Sequence, residues 1–387
     1  MNQLQLFLPC AAGVEGFLAD EVHQITELTG NDLLVGRGGV LLRASWREAL
    51  LLNLHSRLAQ RVLVQLAQGL YRSENDIYAL ASGIAWEIWF TPRQSFKVEV
   101  TAQHSPLTSL NFAALRTKDA VADRFRAKAG VRPDVDTQWP DVRVHLHLTT
   151  DEATVYIDTS GEPLFKRGWR EDKGDAPLKE TLAAAMIAAC GWADGDDDLL
   201  PLYDPCCGSG TIAIEAAQIA CNIAPGSLRR FAFEKYIPFQ QHVWDGIKTD
   251  AAAAVVKPEP GQQPLIFGSD VAHRMVDFAQ RNAERAGVAD VIEFRGGDAL
   301  QRMPPTDVPG VLLLNPPYGD RIEVAGVSGA GARRSGASNR GERNDASLPD
   351  YEAQSGAREQ AVTEDGGEFF SQLATHWKKN YSGWTGW

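Results

Sequence analysis

The feature that most constrains this chain is the apolar run Leu199–Asp204 followed at once by Pro205, Cys206, Cys207, Gly208, Ser209, Gly210 and Thr211. Such a run reads as a buried strand, and the helical spacing of Thr211–Ala220 demands a tight turn between the two. Gly208 and Gly210 supply it. A residue without Cβ enters backbone regions closed to others and lets the main chain approach a ligand. The first N–H groups of the next helix have no partner within it and point at the same spot. The unit then recurs in outline. "PLIFGSD" (264–270) is a second strand, with a helix over 272–286, and "DVIEFRGGD" (290–298) is a third. "GVLLLNPPYG" (310–319) is a fourth strand running into a loop, and a helix over 178–190 precedes the first. Strands alternating with helices predict an α/β fold with a parallel sheet.

Three of these strands end in a carboxylate, Asp204, Asp270 and Asp298, and strand carboxyl ends are where open α/β sheets bind ligands. The glycine turn alone is weak. It lacks the G-x-x-x-x-G-K-[ST] of a phosphate loop and the third glycine of a dinucleotide fingerprint. Each aspartate alone also fits a helix cap. Together they form a pattern: Asp270 stands where a ribose would present its hydroxyls, and Asp298 where an adenine amino group would need an acceptor.

Asn315-Pro316-Pro317-Tyr318, at the tip of the fourth strand, is the most informative motif. The exocyclic amine of a base is a poor nucleophile because its lone pair is delocalised into the ring. A site that methylates it must hold both N–H groups with acceptors, and the Asn315 side-chain oxygen and Pro316 carbonyl suit that task. Pro317 fixes φ in the loop, and Tyr318 offers a flat face on which a base can stack. Positioning then carries most of the acceleration, because the proton can leave after attack. The competing interpretation is a proline turn with a buried tyrosine.

Residues 1–165 differ. Strands over 4–10, 38–44, 61–67 and 95–102, helices over 13–28, 46–55, 76–81 and 111–129, and a hairpin over 141–160 that turns near Asp151 predict an α+β region. The helix over 111–129 and the residues after it carry Arg116, Lys118, Arg124, Arg126, Lys128 and Arg132, diluted by Asp119 and Asp123. This is a candidate phosphate-binding face or an ordinary solvated one. The formal net charge of −12 bears on long-range steering rather than on a local patch. Five cysteines without metal-ligand spacing read as free thiols in a reducing cytosol, with no metal site. No apolar run is long enough for a membrane span, and residues 1–13 lack a basic leader. Residues 325–367, rich in Gly, Ser, Arg, Ala and Glu, read as a disordered insertion. A helix over 368–379 follows. Four strands are few for a doubly wound sheet, so the last strands are expected to be missing after Trp387.

"DPCCGSGT", "GSD", "GGDAL" and "NPPYGDR", in this order, resemble class I methyltransferases that act on amino groups. "PLKETLAAAMI" (177–187) narrows the likeness to the bacterial 23S rRNA guanine-N2 methyltransferases with an N-terminal THUMP domain. "GGVLLRA", "DVRVHLHL" and "IDTSGEPLFKRGWR" are similar to that family's ferredoxin-like and THUMP region. The resemblance spans nearly the whole chain outside 325–367. It implies a ferredoxin-like plus THUMP region over 1–165 and a Rossmann-like methyltransferase domain over 166–387, with S-adenosyl-L-methionine as cofactor. It also implies 23S rRNA or a large-subunit precursor as partner, in the cytoplasm. Carried over by position, Asp204, Cys206, Gly208 and Gly210 would seat the methionine part, with Thr181 near its carboxylate. Asp270 would hold the ribose, and Asp298 with Ala299 the adenine. Asn315–Tyr318 would hold a flipped guanine, and Arg116, Lys118, Arg124, Arg126 and Lys128 would contact RNA. Alternatives are a DNA adenine-N6 methyltransferase, since "NPPY" is shared with that class, and an inactive RNA-binding fragment.

Overall fold

A computed structural model describes residues 3–174, 177–193, 199–257, 264–316 and 366–387. The N-terminal half is built on a seven-stranded sheet in the order β2-β3-β1-β4-β7-β6-β5. Its strands are β1 (Leu4–Pro9), β2 (Leu33–Gly36), β3 (Gly39–Ala44), β4 (Leu63–Leu70), β5 (Phe96–Ala102), β6 (Val142–Leu148) and β7 (Glu152–Asp158). All neighbours are antiparallel except β5 and β6. Its helices are α1 (Glu15–Thr26), α2 (Trp46–His55), α3 (Glu74–Ser82) and α4 (Leu110–Ala129). The start of α2 is fixed by a capping box in which Ser45 and Glu48 each accept from the other's backbone N–H. Helix α4 begins at Ser109, whose hydroxyl accepts from the Phe112 N–H, and stops at Gly130 in the left-handed region. The expected hairpin is β6–β7; β2 was not foreseen, because its exposed Leu34 and Val35 do not alternate with polar residues.

The second half is a five-stranded, fully parallel sheet in the order β10-β9-β8-β11-β12. Its strands are β8 (Leu202–Asp204), β9 (Ile266–Asp270), β10 (Ile292–Gly296), β11 (Val311–Leu312) and β12 (Thr385–Gly386). Its helices are α5 (Glu180–Ala189), α6 (Thr211–Ala220), α7 (Gln241–Ala253), α8 (His273–Ala286) and α9 (Gly366–Asn380). Side chains alternate across it. Leu202, Ile266, Ile292 and Val311 pack with α5, α6 and α8, while Tyr203, Phe267 and Leu312 meet Trp377 of α9 and Tyr381 and Trp384 just beyond it. The sequence suggested four strands. The fifth is the glycine-containing tail at Thr385–Gly386, paired to β11 and too short to show a period of two. Strand order reverses between β8 and β11, which opens a crevice at their carboxyl ends.

The halves are sewn together twice. The segment from Asp158 to α5 runs between them, and the Arg229 guanidinium clamps it by donating to the carbonyls of Ser160, Glu162, Pro163 and Lys166. In the other direction, chain leaving α6 returns to the N-terminal core, where Phe231, Phe233, Tyr236, Trp244 and Ile247 are buried. Phe233 lies edge-on to Trp46 of α2 at 6.5 Å between ring centroids. Between the halves, Glu215 of α6, fully buried, pairs with Arg167 at 3.1 Å and Arg57 at 3.5 Å. The Arg57 carbonyl in turn accepts from Arg167 at 2.7 Å.

Candidate active site

The glycine turn is held by its neighbours' backbones. The Cys207 N–H donates to the Ser269 carbonyl at 2.9 Å, and the Gly210 N–H to the Cys207 carbonyl at 2.8 Å. Gly208 has φ +52° and Gly210 φ +87°. A Cβ on Gly210 would lie 3.0 Å from that of Ala279 in α8, so both conformation and packing require glycine there. A Cβ on Gly208 would meet nothing within 4 Å: its bare backbone faces open space, as a ligand cradle needs.

Three carboxylates surround that space. Asp204, 2% exposed, accepts the Cys206 N–H at 3.0 Å. Asp270 accepts from Gly208 and Ala272. Asp298 lies two residues past β10 and accepts from Leu300 at 2.9 Å, with buried Ala299 beside it. All three act on one thiol: Cys206 is pushed up first by burial and then by the charges of Asp204, Asp270 and Asp298. Burial, aided by the Asp270 charge, also raises the Asp204 carboxyl to about 8. A hollow this rich in acceptors suits a ligand that presents N–H and O–H donors and positive charge. It does not suit a phosphate. The ammonium, ribose hydroxyls, adenine amine and sulfonium of S-adenosylmethionine match that requirement.

Asn315 comes three residues after β11, the strand that pairs with β8. Val311 and Leu312 pair with Leu202 and Tyr203, and the Leu313 N–H donates to the Tyr203 carbonyl at 3.0 Å. Leu313, the residue after β11, therefore stands level with Asp204, and Asn315 follows two residues later in the chain beyond the strand. Asn315 is half-buried and Pro316 buried; Pro317, Tyr318 and, of the segment 325–367, residues 325–365 lie outside the described residues, while Gly366 and Gly367 already belong to α9.

Thr181 is buried at the start of α5. Sequence reasoning missed what joins that helix to the glycine turn, which is Arg170. Its guanidinium donates to Glu180, Leu178, Ser209 and Thr211. The available signal was a pair of arginines, Arg167 and Arg170, flanking Trp169 in a segment with no strand or helix pattern. Asn282 of α8, also missed, is fully buried and donates to the Ser209 carbonyl at 3.0 Å.

The basic residues of α4 are partly compensated. Arg124 forks onto Glu87, Lys118 pairs with Asp119 at 3.1 Å and Arg126 with Asp123 at 3.1 Å. Arg116 lies over the Tyr78 ring at 4.3 Å, and no pairing of Lys128 is seen among the described residues. The five cysteines are free thiols. Among the described residues no group of His, Cys, Asp and Glu is arranged to hold a metal, and no helix is long and apolar enough to cross a membrane.

A parallel sheet whose strand order reverses beside a glycine turn, with Asp204 and Asp270 closing the strands on either side of it and a second unit of sheet and helices joined to it, defines a class I methyltransferase. Residues 5–63 match the RlmL ferredoxin-like domain, 71–158 the THUMP domain and 167–329 the RMKL-like methyltransferase domain. The chain belongs to this family of THUMP-containing, S-adenosylmethionine-dependent methyltransferases. Two relatives, from Psychromonas ingrahamii and Shewanella pealeana, are each named ribosomal RNA large subunit methyltransferase K/L and are each 39% identical. The similarity covers 82% of this chain in both cases but 42% and 44% of the relatives, so the chain spans less than half their length. A solved Listeria monocytogenes protein, predicted to be an N6-adenine-specific DNA methylase, is 32% identical over 84% of this chain and 82% of its own, with TM-score 0.73. A protein assigned as a methyltransferase without proof of activity, solved in complex with S-adenosylhomocysteine (SAH), is 30% identical, over 83% of this chain and 82% of its own, with TM-score 0.72.

Proposed function

We propose that this chain transfers a methyl group from S-adenosylmethionine to the exocyclic N2 of a guanine in 23S rRNA or its large-subunit precursor. The observation that supports the reading is the register of β11 on β8, which brings Leu313, two residues before Asn315, level with Asp204 at the start of the glycine turn. In this reading Asp204, Cys206, Gly208 and Gly210 seat the methionine part, Thr181 lies near its carboxylate, Asp270 takes the ribose, and Asp298 with Ala299 the adenine. The bound cofactor supplies an electrophilic methyl group on a sulfonium. The chain's residues do the rest by position. Asn315 Oδ1 and the Pro316 carbonyl accept the two N–H bonds of the guanine amine, which turns its lone pair out of conjugation toward the methyl group. Pro317 stiffens the loop, Tyr318 stacks on the flipped base, and the proton is lost to solvent after attack. The THUMP half grips RNA by shape and phosphates, with Arg116, Lys118, Arg124, Arg126 and Lys128 as the candidate contacts.

A second reading, methylation of adenine N6 in DNA, is supported by the Asn-Pro-Pro-Tyr pattern and the predicted activity of the Listeria neighbour; the matched THUMP domain favours RNA. The deciding experiment offers the chain ribosomal RNA from cells lacking it and, separately, duplex DNA, with labelled cofactor. Label in a guanine of the large-subunit RNA is the expected result. Label in DNA adenine alone would overturn it. Calorimetric titration with SAH distinguishes an RNA-binding fragment, which would show no binding.

A further inference from the structure

We infer that Arg170 is a positioning residue for the cofactor, acting through the glycine turn; this rests on the reading of the Gly208–Gly210 hollow as the cofactor seat. Arg170 stands on the irregular segment that leaves the RNA-binding half, and its guanidinium plane lies over buried Trp169 at 5.0 Å. Its donors diverge onto two separate pieces of chain, residues 178–180 and 209–211. Nε donates to Glu180 Oε1 at 2.7 Å, at the first residue of α5. Nη1 donates to Ser209 Oγ at 2.9 Å, inside the turn between the two glycines. Nη2 donates to Thr211 Oγ1 at 2.8 Å, at the first residue of α6, and to the Leu178 carbonyl at 3.1 Å.

The starts of two helices and the turn between Gly208 and Gly210 are thus pinned to one rigid plane. Ser209 is held from both sides, its hydroxyl by Arg170 and its carbonyl by Asn282. The Glu180 carboxylate, 4% exposed, pairs with the arginine, so little net charge reaches the hollow. The contribution of Arg170 is therefore geometric: four bonds from one fork, which an ammonium on a flexible stem cannot reproduce.

The test is calorimetric titration of the full chain with SAH. A wild-type chain that fails to bind SAH would remove the cofactor seat itself, a failure separate from this one. Given wild-type binding, R170A and R170K are each expected to bind SAH at least tenfold more weakly than R229A. Arg229 clamps the same connecting segment but does not touch the turn, so R229A reports what loss of a buried arginine there does by itself. Wild-type affinity in R170K, or R170A binding as well as R229A, would overturn the assignment. Should R170A fail to fold, Ser209→Ala made alone and in the R170K background decides. A severalfold loss alone with no further loss in R170K supports the fork, whereas additive losses oppose it.

Discussion

The Asp270 carboxylate accepts the Gly208 backbone N–H at 3.0 Å through one oxygen and the Ala272 N–H at 2.9 Å through the other. One side chain at the end of β9 thus fixes the tip of the glycine turn and the entry to α8. It is not a simple helix cap, since the residue at the cap position of α8 is Ala272. Each oxygen keeps a lone pair, and these are the acceptors that a ribose needs.

Asp270→Ala is expected to weaken SAH binding roughly tenfold to a hundredfold, the range for losing a hydrogen bond to a charged group, about 1.5–3 kcal/mol. Asp270→Asn keeps the shape but turns one acceptor into a donor facing an N–H, so it should not rescue. Titration calorimetry reads both, and an unchanged dissociation constant in Asp270→Ala would take the ribose away from this residue.

Asp204 gives a pH-dependent prediction. Burial raises its carboxyl from the ordinary 3.8 to about 8, so the folded chain holds a proton there that the unfolded chain has lost. The sign follows from proton counts: the ligand-free fold loses stability from this group as pH climbs from about 4 to about 8, and no further above that. An ammonium placed beside the carboxylate reverses the preference and expels the proton. SAH binding between about pH 6 and 7.5 should therefore release a proton, below the range near 8 where an α-amino group itself deprotonates. Binding enthalpies measured in phosphate and in Tris should differ accordingly, and Asp204→Asn should abolish the difference. Equal enthalpies for the wild-type chain would place the ammonium elsewhere.

The methyltransferase sheet was readable because buried parallel strands leave short apolar runs, and because the glycines and aspartates that end them are chemically distinctive. Helices α2 and α6 fell where their spacing put them, Trp46–His55 and Thr211–Ala220. What stayed hidden depends on partners remote in sequence. Strand β12 is two residues long and exists only because β11 offers an edge. Helix α7 and the aromatic run before it gave no pattern of their own, since Phe233 is buried edge-on to Trp46 of α2, far away in sequence, and Trp244 packs edge-on to Phe233. The roles of Arg170 and Asn282 come from contacts across 39 and 73 residues. The glycine turn and its three aspartates could be read along the chain, while the side chains that hold the turn rigid could not.

Glu215 tests whether the halves are rigidly coupled. It is fully buried between Arg167 and Arg57, so its removal leaves two guanidiniums without their counter-charge. Glu215→Ala is expected to lower unfolding stability by about 3–5 kcal/mol, the range for breaking a buried pair from one side. Glu215→Gln, which keeps an acceptor oxygen for Arg167, should lose less. Denaturant unfolding measures both, and a loss below about 1 kcal/mol in the alanine variant would mean that solvent reaches the site.

Asn315 separates chemistry from cofactor affinity. It stands two residues past Leu313, whose N–H is bonded to the Tyr203 carbonyl, whereas the acceptors proposed for the cofactor lie on β8, β9 and the loop beyond β10. Removing its side-chain oxygen takes away one of the two acceptors proposed to orient the amine but none of those proposed to seat the cofactor. Asn315→Ala should therefore cut methyl transfer on the order of a hundredfold or more, the scale for losing one oriented polar group at a reacting centre. SAH affinity should stay within about twofold of wild type, because the lost interaction belongs to the reacting base. Single-turnover methylation beside SAH titration gives both numbers. Equal losses in the two would mean that Asn315 supports the cofactor, and the amine would then need another acceptor.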